Sequence, residues 1–351
     1  MVNNQNLNNA ARVKNDEFYT QLKDIQRELY YYWLYDENFL RDKTLLLPCD
    51  DPEWSNFTKF FAQNFTRYGL KKLISTSYAV ENKKSGFKPM RDLFDDTDAV
   101  NTPRNFARGK VLILERGKIN DKPFEYLEGD GDFRSEEIKR FRDEVDVIIT
   151  NPPFSLFREF FTWILSAGKK FLVIGNMNAI TYKEVFPFIK NNDVWLGTTS
   201  FSNEMVFGVP EDFDVREPYR QRAAQLGFWG NYTRIGNSCW LTNLEHGKRH
   251  EPLKLMTLEE NLLNSKHKEI RDVGYLKYDN CDAIEVPYVD AIPSDYEGVM
   301  GVPITFLNKY CPDQFEIIGK IDTDIRNKYT LARPIVKGKR KFKRIAIRFR
   351  S

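Results

Sequence analysis

The stretch Val145-Asp146-Val147-Ile148-Ile149-Thr150-Asn151-Pro152-Pro153-Phe154 decides the reading of this chain. Its first half is a near-continuous apolar run, the pattern of a strand buried on both faces of a parallel sheet. The prolines end that strand. Each lacks an N–H and holds the residue before it in extended geometry. A helical pattern follows to about Ala167, and Lys170–Gly175 (KFLVIG) reads as another buried strand. Strand, turn, helix and strand in that order belong to an α/β sheet, and open α/β sheets bind ligands at the carboxyl ends of their strands. Asn151 to Phe154 stand at such an end.

Upstream the same pattern recurs. Apolar residues at helical spacing (Phe18, Leu22, Ile25, Leu29, Trp33, Leu40) predict a helix from about Asp16 to Arg41. Leu45-Leu46-Leu47 reads as a strand ending at Pro48-Cys49-Asp50. Asp51-Pro52-Glu53 has the residues of a helix start, with Asp51 as cap and Pro52 in the first turn. Trp54, Phe57, Phe61 and Phe65 give that helix one apolar face, and Lys72–Tyr78 reads as the next strand. This is a βαβ unit and implies parallel strands. Val111–Glu115, Asp193–Thr198 and Ser238–Asn243 read as further strands, Gly129–Phe133 as a turn and Glu136–Arg142 as a short helix. Residues 79–108 read as a polar excursion, and residues 1–14 as a flexible, Asn-rich arm.

Chemistry explains the residue types at 151–154. A conjugated exocyclic amine is a poor nucleophile because its lone pair is delocalised into the ring. Two acceptors that hold both N–H groups turn that lone pair toward an electrophile. Asn151 supplies a side-chain oxygen and Pro152 a main-chain carbonyl, while Pro153 adds no competing donor. Phe154 offers a face on which a flipped base stacks. No base need act before attack, so catalysis is mostly positioning. The plainer reading is a Pro-Pro strand terminator beside a buried Phe.

The electrophile has to come from a cofactor. The chain has neither a Walker A lysine motif nor a GxGxxG after its first strand. Cys49-Asp50-Asp51 stands there instead, and a carboxylate at that turn suits the hydroxyls or the cationic amino group of S-adenosylmethionine. In Gly129-Asp130-Gly131-Asp132-Phe133, Asp132 suits an adenine amino group and Phe133 its ring, although the same residues also make an ordinary turn.

Composition narrows the classes. The chain has 351 residues, 41% hydrophobic and 29% charged, which suits one large α/β domain with a smaller appendage and excludes intrinsic disorder. The polar start carries no apolar leader, and no run is long enough to span a bilayer, so a cytoplasmic protein with reduced thiols is expected. Cys49, Cys239, Cys281 and Cys311 form no CxxC pair, and the three histidines (His246, His250, His267) read as surface residues rather than ligands, so no metal site is expected. Net charge is only +3, but residues 326–350 hold eleven Lys and Arg and no Asp or Glu. The end of that run alternates basic and apolar residues, which suits either a basic strand facing a polyanion or a solvated edge strand. Arg216, Arg220, Arg222, Phe228, Trp229, Tyr232 and Arg234 mix basic and aromatic residues in what reads as a loop, facing nucleic acid or simply exposed.

Beyond single motifs, the chain resembles the EcoRI-type adenine-specific DNA methyltransferases. The matching stretches run in order from Asp16–Gln21 (DEFYTQ) through Cys49–Phe57 (CDDPEWSNF), Gly69–Ile74, Gly129–Ser135 (GDGDFRS), Asn151–Phe160 (NPPFSLFREF), Lys170–Phe186 and Cys239–Leu244 to Gly301–Gly319 (GVPITFLNKYCPDQFEIIG). The resemblance implies a class I S-adenosylmethionine-dependent methyltransferase fold, α/β and Rossmann-like, with a mixed, mostly parallel sheet and a C-terminal target-recognition region. It implies methyl transfer to the N6 amino group of a flipped adenine in double-stranded DNA. Asn151, Pro152, Pro153 and Phe154 match the catalytic motif. Tyr19, Thr20, Cys49, Asp50, Asp51, Asp132 and Phe133 fall on cofactor-binding positions, with Tyr19 and Thr20 toward the methionine end and Asp50 or Asp51 on the ribose. The usual glycine-rich loop is replaced by CDDPEW, and Ser75–Tyr78 stands where the second strand usually ends in an acid. The basic tail after 326 lies outside the matching stretches.

The expected organisation is an arm at 1–14, a catalytic domain at 15–250 and a target-recognition region at 251–351. The DNA-contacting cations are expected to be Arg216, Arg220, Arg222, Lys339, Arg340, Lys341, Lys343 and Arg344. The enzyme is expected to be a monomer that modifies one strand per visit, alongside a restriction endonuclease that reads the same site without forming a complex. An RNA adenine methyltransferase with the same chemistry, and a non-catalytic DNA-binding protein with a degenerate core, are the competing readings.

Overall fold

The computed structural model describes residues 18–79, 108–120, 122–199, 204–211, 213–235, 238–321 and 334–350. The predicted arm at 1–14, nearly all of the excursion at 79–108 and the start of the basic tail lie outside them. The chain divides into two compact units, Met1–Glu184 with Thr199–Leu244, and Val185–Thr198 with Glu245–Ser351. The sequence put a single break near residue 250. No helix among the described residues is long and apolar enough to cross a membrane.

The first unit is built on a sheet with a parallel centre. Its elements in chain order are β1 (Tyr19–Thr20), α1 (Leu22–Tyr35), β2 (Thr44–Leu47), α2 (Asn56–Gln63), β3 (Lys72–Ser77), β4 (Lys110–Glu115), β5 (Glu125–Tyr126), α3 (Glu136–Glu144), β6 (Val147–Thr150), α4 (Phe157–Ser166), β7 (Lys170–Asn176), β8 (Val206–Gly208), α5 (Glu217–Gln225), β9 (Tyr232–Arg234) and β10 (Ser238–Thr242). Within this unit the large sheet runs β5-β4-β3-β2-β6-β7-β10. Strands β3, β2, β6 and β7 are mutually parallel, while β4, β5 and β10 pair antiparallel. All four residues of β2 and of β6 are buried, which is why both read as unbroken apolar runs.

From β2 the chain crosses through α2 to β3 on one side, and from β6 through α4 to β7 on the other. The β2–β6 boundary is therefore the topological switch point, where a crevice opens at the strands' carboxyl ends. Cys49-Asp50-Asp51 follows one of these strands and Asn151-Pro152-Pro153-Phe154 the other. A second sheet, β1-β8-β9, is antiparallel and pairs Tyr19 with Gly208 and Thr20 with Phe207.

Three local expectations give way. The first helix begins at Leu22 rather than Asp16, because Tyr19 and Thr20 pair with β8. The second is capped by Ser55 rather than Asp51. The Ser55 hydroxyl accepts from Phe57 N at 3.0 Å, while Asp51 spends its carboxylate on a turn, accepting from Glu53 N at 2.8 Å. Residues 217–225 form helix α5 rather than a loop. Only Ala223 of that helix is buried, so no apolar period marked it.

The second unit contains helices α6 (Leu258–Asn264) and α7 (Lys268–Val273), and strands β11 (Ile284–Glu285), β12 (Met300–Pro303), β13 (Phe315–Lys320), β14 (Ile335–Val336), β15 (Lys339–Arg340) and β16 (Arg344–Phe349). Its main sheet runs β11-β12-β16-β13, and β14-β15 is a separate hairpin. The end of the basic tail is thus a central strand, neither an edge nor a one-sided basic face. Ile345, Ala346 and Ile347 are all buried, as a strand covered on both faces requires. His246 is also buried rather than on the surface. It is hydrogen-bonded to the Leu196 carbonyl, and burial depresses its pKa to about 4.

Candidate active site

The turn after β6 is fixed from both sides. Pro152 is buried, Asn151, Pro153 and Phe154 are half-buried, and a short 3-10 turn from Phe154 leads into α4. The Asn151 amide nitrogen donates to the Phe18 main-chain oxygen at 2.8 Å. Its Oδ1 is buried without a hydrogen-bond partner. The Phe154 ring meets Phe18 edge-on at 5.5 Å and Phe207 of β8 at 6.4 Å, and Phe213 also touches Phe18. The small sheet thus carries an aromatic wall to the turn after β6.

The turn after β2 is held by hydroxyl groups. Asp50 is buried. Its Oδ1 accepts from Ser55 Oγ and its Oδ2 from Thr150 Oγ1, each at 2.6 Å. Ser75 Oγ donates to the Asp50 carbonyl at 2.6 Å and also touches Thr58 Oγ1. One residue therefore ties the ends of β2, β3 and β6 to the start of α2. Burial raises the Asp50 pKa to about 7, with the neighbouring Asp51 adding to it, although the two hydroxyls pull it down. With both oxygens committed to the fold, Asp50 is not free to grip ribose hydroxyls as the resemblance suggested. Asp51 is half-buried and salt-bridged to Lys110, which also bonds Glu53.

The remaining residues expected at the cofactor lie round these turns. Asn56 Nδ2 donates to the Thr20 carbonyl at 2.8 Å, and the Thr20 hydroxyl is buried without a partner. Tyr19 is pushed up to about 12 by burial and by Asp51. The half-buried Cys49 has its thiol raised by burial and by the charges of Asp50 and Asp132, while a hydrogen bond with Thr150 acts the other way. Asp132 is gripped by Arg134, with Nε and Nη2 at 2.9 and 2.7 Å, and this holds its carboxyl below the usual range. Phe133 is buried against Phe160 and Trp163 of α4. Sequence reasoning passed over Thr150, Ser55 and Phe207. Thr150 alone carried a signal, as the one hydroxyl at the end of an apolar strand.

The expected DNA-contacting cations differ in exposure and in their ion pairs. Arg216 and Arg220 are exposed, as are Lys339 and Arg340 on the β14-β15 hairpin, and Lys341 and Lys343 are half-buried. Arg222 instead makes a two-armed ion pair with Glu204 at 2.7 and 3.0 Å. Arg344 is held by Glu285, with Nη2 to Oε1 at 2.5 Å, and both side chains are buried. Glu285 also accepts from the Tyr278 hydroxyl. Arg344 is therefore committed to an ion pair within the second unit.

An open α/β sheet, an amide and a proline carbonyl at its switch point, and no phosphate-binding glycine loop together define a methyltransferase of the class I fold. The comparison with known proteins makes this specific. The chain belongs to the adenine-specific methyltransferase EcoRI family, whose model matches residues 6–349. That match includes the basic tail, which the sequence motifs alone had left outside. The chain is 41% identical over 348 residues to the type II methyltransferase M.EcoRI of Escherichia coli, covering 96% of this chain and 97% of that one. It is 32% identical to M.MpnI of Mycoplasma pneumoniae, covering 98% of each chain. It is 31% identical to M.MgeORF184P of Mycoplasma genitalium, covering 97% of this chain and 98% of that one. No solved structure matches.

Proposed function

We propose that this enzyme uses S-adenosylmethionine to methylate the N6 amino group of an adenine turned out of a DNA duplex, with Asn151 and the Pro152 carbonyl holding the amine. One observation carries this reading. The Asn151 amide is already oriented by Phe18, and its Oδ1 is a buried acceptor with no partner. A buried acceptor left unmade is costly, so its place in the fold implies a donor brought by substrate. An amine has the N–H groups to fill it.

The residues present also fit the methyl donor. Thr20 Oγ1 is a second buried polar atom without a partner, and Asp50 is a buried carboxylate with only hydroxyl partners. Tyr19, Thr20 and Cys49 would hold its amino-acid end and Asp132 its adenine, with Phe133 backing that wall and Asp50 left to its cationic sulfur. When bound, S-adenosylmethionine supplies an electrophilic methyl group on a sulfonium. The protein's own work is positional. Asn151 and Pro152 take the two N–H groups of the target amine and free its lone pair, and Phe154 packs on the base. The Phe18–Phe154–Phe207 wall keeps water away from the reacting atoms.

For DNA, the cations Arg216, Arg220, Lys339, Arg340, Lys341 and Lys343 would meet phosphates, with the second unit as the target-recognition region. A single copy suffices, since one methyl per visit completes a hemimethylated site. A restriction endonuclease reading the same site would be a functional partner without a shared complex.

Long-read modification mapping of DNA from cells expressing wild type or Asn151→Ala tests the reading. Methyl-adenine at one position of one short motif, lost in the variant, supports it. Absence of any such motif, with methyl transfer to RNA instead, overturns the DNA substrate.

A further inference from the structure

A carboxylate lies buried at the switch point without a cation. Asp50 is 4% exposed, and its two oxygens meet only the hydroxyls of Ser55 and Thr150. The ionisable groups around it are nearly all acids. Asp51, next in the chain, is salt-bridged to Lys110. Cys49 is hydrogen-bonded through Thr150 and held protonated by burial. Asp132, on the Gly129–Phe133 turn, is occupied by Arg134. Tyr19 stands beside Asp51 with a phenol too weakly acidic to lose its proton. Among the described residues no salt bridge reaches Asp50. Buried charges are ordinarily paired, and one left open at a site points to a cation that arrives with a ligand.

The position of Asp50 says where that cation would lie. One hydrogen bond to Thr150 and one peptide link separate the Asp50 carboxylate from Asn151. A methyl group delivered to an amine held by Asn151 would be carried on a centre at this same end of β6. In S-adenosylmethionine that centre is a cationic sulfonium, and in the product it is a neutral thioether.

We propose that Asp50 senses this charge, ionised while the cationic donor is bound and protonated while the neutral-sulfur product is bound, so that it favours donor over product. This rests on S-adenosylmethionine being the donor. The protons balance over a turnover. Donor binding expels one proton from Asp50 to solvent, methylation of the amine releases one, and Asp50 takes one back as the positive charge on sulfur is lost. Because the free enzyme's Asp50 titrates at about 7, donor affinity rises with pH by at most about tenfold per unit up to neutrality and then levels, while product affinity is level below neutrality and falls above it.

Calorimetry of the full-length protein at pH 7, in buffers of different ionisation enthalpy, counts the protons exchanged on binding S-adenosylmethionine and S-adenosylhomocysteine. Wild type should release about half a proton with the former and take up about half with the latter, and Asp50→Asn should lose both components. The second measurement needs no variant. An infrared difference spectrum of wild type labelled with ¹³C-aspartate should lose a protonated-carboxyl band on adding donor and keep it on adding product. Equal proton counts in wild type and Asp50→Asn, or an unchanged carboxyl band, overturn the inference while leaving the donor assignment standing. If neither ligand binds, the donor assignment falls and takes the inference with it.

Discussion

The side-chain nitrogen of Asn151 donates to the main-chain oxygen of Phe18 at 2.8 Å, across 133 residues of sequence. A carbonyl oxygen only accepts, so this bond fixes the orientation of the amide and leaves its oxygen as the open end. It also ties the segment before β1 to the turn after β6. Phe18 supplies the carbonyl with its backbone and a wall to Phe154 with its ring.

Asn151→Ala removes the acceptor and leaves the Phe18 carbonyl unpaired, while touching none of the residues assigned to the donor. We expect donor binding to stay within about twofold and single-turnover methylation to fall by about 100-fold or more, the usual scale for losing one preorganised polar contact in a reaction. Rapid-quench assays with labelled donor measure both. Normal turnover in the variant would remove Asn151 from the mechanism.

Phe154→Ala leaves Asn151 and its bond in place and removes a face from the aromatic wall. Grip on the extrahelical base should weaken by about 1–3 kcal/mol, the worth of one base–aromatic stack. A 2-aminopurine at the target position should fluoresce more weakly with the variant than with wild type. Equal fluorescence would mean that the base rests elsewhere.

How much of this was visible in the sequence depended on how each residue is buried. Strands β2 and β6 are covered on both faces, so their apolar runs gave them away, and the turns after them followed. Helix α5 buries one alanine and left no period to read. Strand β16 looked like an alternating edge because its charged ends, Arg344 and Arg348, bracket three buried residues. The Asp50–Thr150 bond joins residues 100 apart, and each taken alone is an unremarkable cap or strand end. Pairings of that kind depend on strand order, which a local pattern does not carry.

Gly131→Ala should displace the Gly129–Phe133 turn. Gly131 has φ +79°, and a Cβ there would collide with the Ser77 carbonyl. Backbone in that region costs about 1–3 kcal/mol for a residue with a side chain, before the clash is counted. Asp132 and Phe133 follow directly, so donor affinity should drop while DNA binding without donor holds. Unchanged donor affinity would detach this turn from the cofactor.

The basic tail divides into two kinds of cation with opposite expected effects. Arg344→Ala strands the buried Glu285 carboxylate and should cost about 3–5 kcal/mol of stability. Lys339→Ala and Arg340→Ala alter exposed hairpin residues and should leave the unfolding midpoint nearly unchanged. Each should instead lower the slope of log affinity for DNA against log salt by about one. Denaturant titration and binding at several salt concentrations separate the two kinds. A stable Arg344→Ala with a reduced salt slope would return that arginine to the DNA face.

Asp50 also sets a sign for the pH dependence of folding. Its pKa in the folded protein, about 7, lies above its ordinary value of 3.8. Between those values the folded chain keeps a proton that the unfolded chain has released. Stability from this group therefore falls as pH rises from about 4 to about 7, by at most about 1.4 kcal/mol per unit, and is flat above. His246 acts in the opposite direction over nearly the same range. Burial lowers it to about 4, so acid must charge it on unfolding and stability falls as pH drops below its ordinary 6.5. The two slopes oppose each other in wild type. Subtracting the urea-unfolding free energies of Asp50→Asn from those of wild type at pH 5, 6, 7 and 8 cancels His246, which both proteins contain. The difference should decline from pH 5 to pH 7 and then level. A flat difference would mean that Asp50 is ionised in the folded protein at all four pH values.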